Sequence, residues 1–515
     1  MVVDLEVLRK RAFDSSLQGG GDRERPRPHR VRPTWGHAMN GQLDEVFRLS
    51  ALELRDKVRK REVSARELAE DHLDRIATAD HEIGAFVTVD RAFTLAAADA
   101  AQRRIDAGED LPLAGVPYAL KDLTDTAGML TTYGSRMRRS NVPTLDAAVA
   151  RRMRDAGGIL LGKTNTPEFG NRATTAFGLF PPTRNPWSLD KIAGGSSGGS
   201  GAAVAACMSP IAEGSDGGGS IRVPASCCGV VGIKPSRGRV SSAPYFNPRG
   251  GLITHGPIAR TVADAALVLD VMAGYESGDT YYAPPPEQSF LSSALKDPKR
   301  LRIGMLTTSD KWIDPEVVVA VEQTGELLQS LGHTVGEAKV NLTGLGSIFR
   351  IMCHSESAAN DLGDPAEFSD PFSAWCAERG KRWSAVDYIK ATEELFGRGR
   401  EIISQMAEWD CIILPTVAQI PPDLDTFLAD TERASEDDLA YIPFTYPFNI
   451  SGQPALSLPL GWSKAGLPIG VQFVGHPYGE GLIISLAAEV ERAAPWAARY
   501  PAHPAEGARS ALPAQ

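Results

Sequence analysis

A chain of 515 residues with 43% hydrophobic content has material for one large packed domain or several ordinary ones. Its net charge of -10 argues against wholesale nucleic-acid binding. No run of ~18 apolar residues occurs, which argues against a membrane span.

Residues 1–49 differ from the rest. The segment 21–33, GDRERPRPHRVRP, is rich in Arg and Pro without apolar periodicity, so 1–49 is expected to be a mobile or loosely packed extension. Residues 1–30 hold no apolar stretch of the secretory type, and Met39 is a candidate start of the folded protein. From Ser50 the pattern becomes α/β. Ser64 and Glu67 form a capping box at a helix start, with Val63 and Leu68 placed as a hydrophobic staple. Leu68, His72, Leu73 and Ile76 continue at helical spacing. A short strand at 85–89 precedes an Ala-rich helix at 92–107. A strand at 116–121 places Lys121 near its end, and a helix at 144–156 leads into a strand at 159–161. Further strands are predicted at 230–233, 303–306, 411–414, 455–458 and 471–474, with helices at 261–273, 315–331 and 479–493. This alternation predicts an α/β fold: a mixed β-sheet core covered by helices on both faces, spanning 50–495, with a C-terminal tail at 496–515.

The six cysteines are sparse and lack CxxC spacing. They read as reduced thiols of a cytoplasmic protein, and adjacent Cys227 and Cys228 as small buried fillers.

The stretch 193–222, AGGSSGGSGAAVAACMSPIAEGSDGGGSIR, carries the chemistry. Ser196 sits in its first Gly-rich turn, and Ser220, 24 residues on, ends its second. Lys121 lies 75 residues before Ser196 in GVPYALKDL, flanked by Leu120 and Leu123. Burial without a carboxylate partner disfavours an ammonium, so such a lysine can lose its charge. Asp122 follows directly, but in a strand its side chain points to the opposite face. Two hydroxyls and a neutral lysine supply a nucleophile, a proton relay and a base without histidine. Gly217, Gly218 and Gly219 let successive N–H groups converge as an oxyanion hole. Asp216 and Arg222 flank this loop and are expected to hold it by charge-assisted hydrogen bonds.

Two other motifs are read as decoys. Gly157–Thr164 fits GxxxxGK[ST], but its insert ends in Ile-Leu-Leu, a buried strand whose amides are spent in a sheet. Gly194–Gly198 fits GxSxG, yet 187–192 reads WSLDKI rather than an apolar strand. His255, in THGPIAR, reads as a structural turn residue. No HExxH or carboxylate-rich metal site is present, so neither metal nor cofactor is expected.

Four blocks in order, GVPYALKD (115–122), GKTNTPEFG (162–170), AGGSSGGSG (193–201) and GSDGGGSIRVPASCCGVVGIKP (214–235), resemble the amidase signature family. Further matches are HGPIARTVADAALVLDVMAG (255–274), SGQPALSLPLG and GVQFVG. The resemblance implies one compact domain that hydrolyses a linear amide C–N bond through a Ser acyl-enzyme. Lys121 would be the base, Ser196 the relay, entered by a cis peptide bond, and Ser220 the nucleophile. It also places Gly170 and Asn171 near the scissile group. Many relatives carry a larger residue where Gly217 stands, which leaves the donor in place and changes the pocket's shape.

Segments 129–133, 350–400 and 444–449 are expected walls. Phe444, Tyr446 and Phe448 read either as an aromatic rim or as core packing. The expected partner is a small amide or carbamate, with ester cleavage and a homodimer admitted, and neither nucleic acid nor membrane. An alternative is the glutaminase subunit of a tRNA-dependent amidotransferase, which uses the same three residues.

Overall fold

The computed structural model describes residues 45–244, 248–360, 365–427 and 431–502, all within one compact unit. In chain order the strands are β1 (Phe86–Thr88), β2 (Pro117–Lys121), β3 (Ile159–Thr164), β4 (Arg184–Asn185), β5 (Ser188–Ile192), β6 (Ile211–Asp216), β7 (Val231–Lys234), β8 (Thr254–Ala259), β9 (Arg302–Met305), β10 (Thr334–Glu337), β11 (Cys411–Pro415), β12 (Ala455–Trp462) and β13 (Pro468–Gly475). Eleven of them form one mixed sheet in the order β1-β3-β2-β6-β8-β7-β12-β13-β11-β9-β10, while β4 and β5 make a separate ribbon. β2 runs parallel to both β3 and β6, and β6 pairs antiparallel with β8.

Each face of the sheet is buried. On one side Tyr118, Leu120, Ile211, Ile233, Leu456 and Phe473 pack against the helices Val262–Met272 and Glu480–Ala493. On the other, Ala119, Leu161, Ala212 and Ile258 meet the helices Gly198–Ala205 and Arg222–Cys228. The two-residue period of a strand then sends Lys121 to the face of Ala119, where both serine-bearing loops lie.

The capping box forms as read: Glu67 N donates to Ser64 Oγ at 3.1 Å, and Ser64 N donates to Glu67 Oε2 at 2.8 Å. Leu68 and Val63 pack in one small cluster. The predicted apolar strands are present, β12 and β13 extending beyond their expected ends. The predicted helix at 144–156 is shorter, Ala148–Asp155. Two central strands, β6 and β8, are additions to the expected set, and His255 lies within β8 rather than in a turn. WSLDKI does contain a strand, β5, but it belongs to the ribbon, and of its residues only Ile192 is buried. The 350–400 region is helical: Gly346–Ala359, Pro371–Gly380 and Ala385–Gln405.

Most of the expected N-terminal extension and C-terminal tail lies outside the described residues. Within them, Val46 packs with Leu54, Val58 and Leu68, and Trp496 is buried, donating to Arg260 O at 3.0 Å. No described helix is long and apolar enough to cross a membrane.

Candidate active site

Lys121 is fully buried at the end of β2. Its Nζ lies 2.6 Å from Ser196 Oγ and 3.1 Å from Ser215 Oγ. No ion pair to Lys121 is found among the described residues. Burial pushes its ammonium down to about 7, against the raising influence of Glu213 and Asp216. Glu213 sits behind it: Oε2 accepts the Lys121 backbone N–H and Thr124 Oγ1, each at 3.0 Å, and Oε1 lies 2.8 Å from His255 Nδ1. Asp122 turns away, as expected, to accept from the backbone N–H and Oγ1 of Thr132.

The peptide bond between Gly195 and Ser196 is cis. Ser196 and Ser220 are joined through backbone, Ser197 N donating to Ser220 O at 3.2 Å. Among the described residues no hydrogen bond links the two hydroxyls. Ser220 is the partly exposed member of the trio and lines a cavity of ≈ 70 Å³, together with Gly170, Asn171, Gly195, Gly218 and Gly219.

A buried ion pair fixes the Ser220 loop. Arg222 and Asp216 are both fully buried, with Arg222 Nη2 at 2.8 Å from Asp216 Oδ1 and Nε at 2.9 Å from Oδ2. Burial alone would raise the Asp216 carboxyl, but the Arg222 guanidinium holds it well below the usual carboxylate range. The remaining guanidinium protons go to Thr445 O, Gln472 Oε1 and Asn449 Oδ1, at 2.9, 2.7 and 2.7 Å. Asn449 Nδ2 in turn donates to Asp216 O and Oδ1, each at 2.9 Å. One expectation needs correction here: the Gly219 N–H is donated to Asp216 Oδ1 at 2.8 Å, so this amide is spent inside the loop. Gly219 still requires its lack of a side chain, because φ is +134° and a Cβ would lie 2.4 Å from Thr445 Oγ1. Gly217 does not line the cavity. The space a side chain would take there is occupied by Ile253 and Arg249.

Gly170 and Asn171 lie on the cavity wall. A Cβ at Gly170 would sit 3.0 Å from Ser196 Oγ. Asn171 Nδ2 donates to Ser357 Oγ at 3.2 Å, and its Oδ1 accepts from Arg249 at 3.3 Å. The rest of the wall comes largely from the 350–400 region, including Cys353, His354, Phe372 and Cys376, with Asp438 and Leu439. Segment 129–133 does not line it. Phe444, Tyr446 and Phe448 are buried, with Tyr446 stacked on Phe349 at 5.0 Å; Phe444 and Tyr446 also line a neighbouring cavity, whereas Phe448 lines neither. Cys227 and Cys228 are fully buried, and all six thiols are free.

Several contributors were not read from sequence: Ser215, Glu213, Arg249, Thr445, Asn449 and Gln472. Ser215 and Glu213 stand inside the stretch 193–222 that carries Ser196 and Ser220, and that is the only local signal among them.

The amidase family model matches residues 67–484. A 6-aminohexanoate-cyclic-dimer hydrolase of Paenarthrobacter ureafaciens is 37% identical over 477 residues, covering 86% of this chain and 94% of that protein. The structure of a 6-aminohexanoate cyclic dimer hydrolase complexed with substrate superposes with a TM-score of 0.83 at 35% identity, covering 88% of this chain and 99% of that one. A bacterial aryl acylamidase superposes with a TM-score of 0.80 at 28% identity, covering 90% and 99%.

Proposed function

The chain belongs to the amidase family and is a hydrolase of amide C–N bonds, and we propose that it works through an acyl-enzyme on Ser220. The observation that carries this reading is a fully buried lysine, 2.6 Å from Ser196, behind a cavity lined by Ser220. Ser220 attacks the carbonyl carbon of a small amide. Its proton passes to Ser196 as the Ser196 proton passes to Lys121 Nζ. The amides of Gly218 and Ser220 are the better-placed oxyanion donors, since Gly219 is committed to Asp216. As the tetrahedral intermediate collapses, the C–N bond breaks and the relay returns a proton to the leaving amine. Water, deprotonated by the same relay, then cleaves the Ser220 ester. Asp216, Arg222 and Asn449 keep the nucleophile loop in position.

Carbamates and esters pass through a similar tetrahedral intermediate, so aryl carbamate cleavage belongs to the same site. Six free thiols support a reducing, cytoplasmic setting. The relatives make 6-aminohexanoate cyclic dimer and acyl anilides the first substrates to try. The test is a panel of these with a primary amide, glutamine and an aryl carbamate, assayed with wild type and Ser220→Ala. Turnover that vanishes in Ser220→Ala is expected; turnover that survives it refutes the acyl-enzyme. Activity on glutamine alone would point to an amidotransferase subunit.

A further inference from the structure

Three arginines line the cavity that holds Ser220: Arg172, Arg249 and Arg350. Two of them have carboxylates of the protein within ion-pair distance. Arg172 stands between the rings of Phe177 and Phe372, with Asp370 at 3.6 Å and Asp438 at 3.9 Å. Arg249 lies 2.5 Å from Glu356 and donates to Asn171. Arg350 differs. Among the described residues it has no carboxylate within 4 Å, no hydrogen-bond acceptor and no aromatic face. It is half-buried on the helix Gly346–Ala359, so it is neither a free surface charge nor a closed ion pair.

Its position is the second observation. A larger cavity of ≈ 630 Å³ adjoins the first, and Arg350 and Leu439 line both. Arg350 therefore stands at the junction between the confined space at Ser220 and a roomier one. A planar guanidinium offers a fork of donors matched to a carboxylate, and partial burial strengthens such a pair relative to one in open water.

We propose that Arg350 is a specificity residue that pairs with a carboxylate carried by the substrate at its end remote from the scissile bond. The inference rests on the amide-hydrolase reading of the site and narrows its substrate class to carboxylate-bearing amides. Arg350 takes no part in the proton relay, so its contribution appears in KM rather than in kcat.

Two substrate series test it. In one, 4-nitroanilides of four- to seven-carbon acyl chains end either in a carboxylate or in a methyl group. In the other, hexanoyl amides of 4-aminobenzoate are compared with those of 4-aminobenzamide. Wild type is expected to favour the carboxylate in one series by about tenfold in kcat/KM, through KM, and less so in high salt. Arg350→Gln should remove the preference by raising KM for the carboxylate partner, and Arg350→Lys should retain part of it. No preference in either series for wild type, or an undiminished preference in Arg350→Gln, overturns the proposal. Binding to Ser220→Ala protein separates this failure from failure of the acyl-enzyme reading. There adipate should bind about tenfold more tightly than 1,6-hexanediol, and equal binding refutes the role of Arg350 whether or not turnover is seen.

Discussion

A neutral Lys121 is the premise of the chemistry, and pH is the direct way to perturb it. In water a lysine at its model value of 10.5 would be neutral in about one molecule in three thousand at pH 7. Burial at β2 lowers Lys121 to about 7, so about half of the molecules carry a free base at neutral pH. That is a gain of roughly a thousandfold in competent enzyme. The active form is the deprotonated one, so kcat/KM should rise about tenfold per pH unit well below 7, bend near 7 and stay flat above about 8. The assay is kcat/KM from pH 5 to 9.5 on an uncharged anilide, whose own ionisation cannot contribute. Asp438 on the cavity wall complicates the profile, because burial holds its carboxyl up to about 7 as well. Repeating the profile in Asp438→Asn separates the two, and the ascending limb should persist. Lys121→Ala should cost about 10²–10⁴ in rate and lose the limb. A profile flat from pH 5 to 7 in wild type, or one still rising at 9.5, refutes a buried lysine base.

Asn449→Ala removes one acceptor from Arg222 and two donors to Asp216 in a fully buried network. Stability should fall by about 2–4 kcal/mol in urea unfolding, with turnover reduced; a change under about 0.5 kcal/mol counts against the network's role. Gly170→Ala should lower kcat at least tenfold, because the new Cβ meets Ser196 Oγ. Gly108→Ala, also at positive φ but with open space around it, is the control and should keep wild-type kcat. A chain beginning at Met39 keeps the helix Glu45–Arg48 and its Val46 contact, so it should match the full chain in melting temperature and turnover. Loss of soluble, active protein on that truncation sinks the view of the leading residues as dispensable.

The proposed trio could be picked out because each member sits in a segment with a distinctive local pattern: an apolar strand end for Lys121, Gly-rich turns for Ser196 and Ser220. The outer support was not. Asn449, Thr445 and Gln472 reach Arg222 from more than two hundred residues away, and nothing near them marks an arginine partner. Nor does sequence tell which amide of Gly217–Gly219 remains free. That depends on Asp216 folding back over its own loop, which is a matter of side-chain geometry rather than composition.

The omission of β6 and β8 from the expected sheet has the same origin as their function. A central strand buried on both faces ordinarily reads as a continuous apolar run, yet β6 is Ile-Ala-Glu-Gly-Ser-Asp, buried throughout. Each of its polar residues is consumed by a different part of the site. Glu213 holds the Lys121 backbone, Ser215 touches Lys121 Nζ, and Asp216 ties down the loop that presents Ser220. One strand thus aligns Lys121, the proposed base, with the loop of Ser220, the proposed nucleophile, and His255 from β8 pairs with Glu213. Buried polar groups are tolerable only when paired, and the partners of these come from β2, β8 and the nucleophile loop, so the strand becomes intelligible once the sheet has assembled. Local propensity and global structure conflict here because catalysis needs charge in the middle of a core.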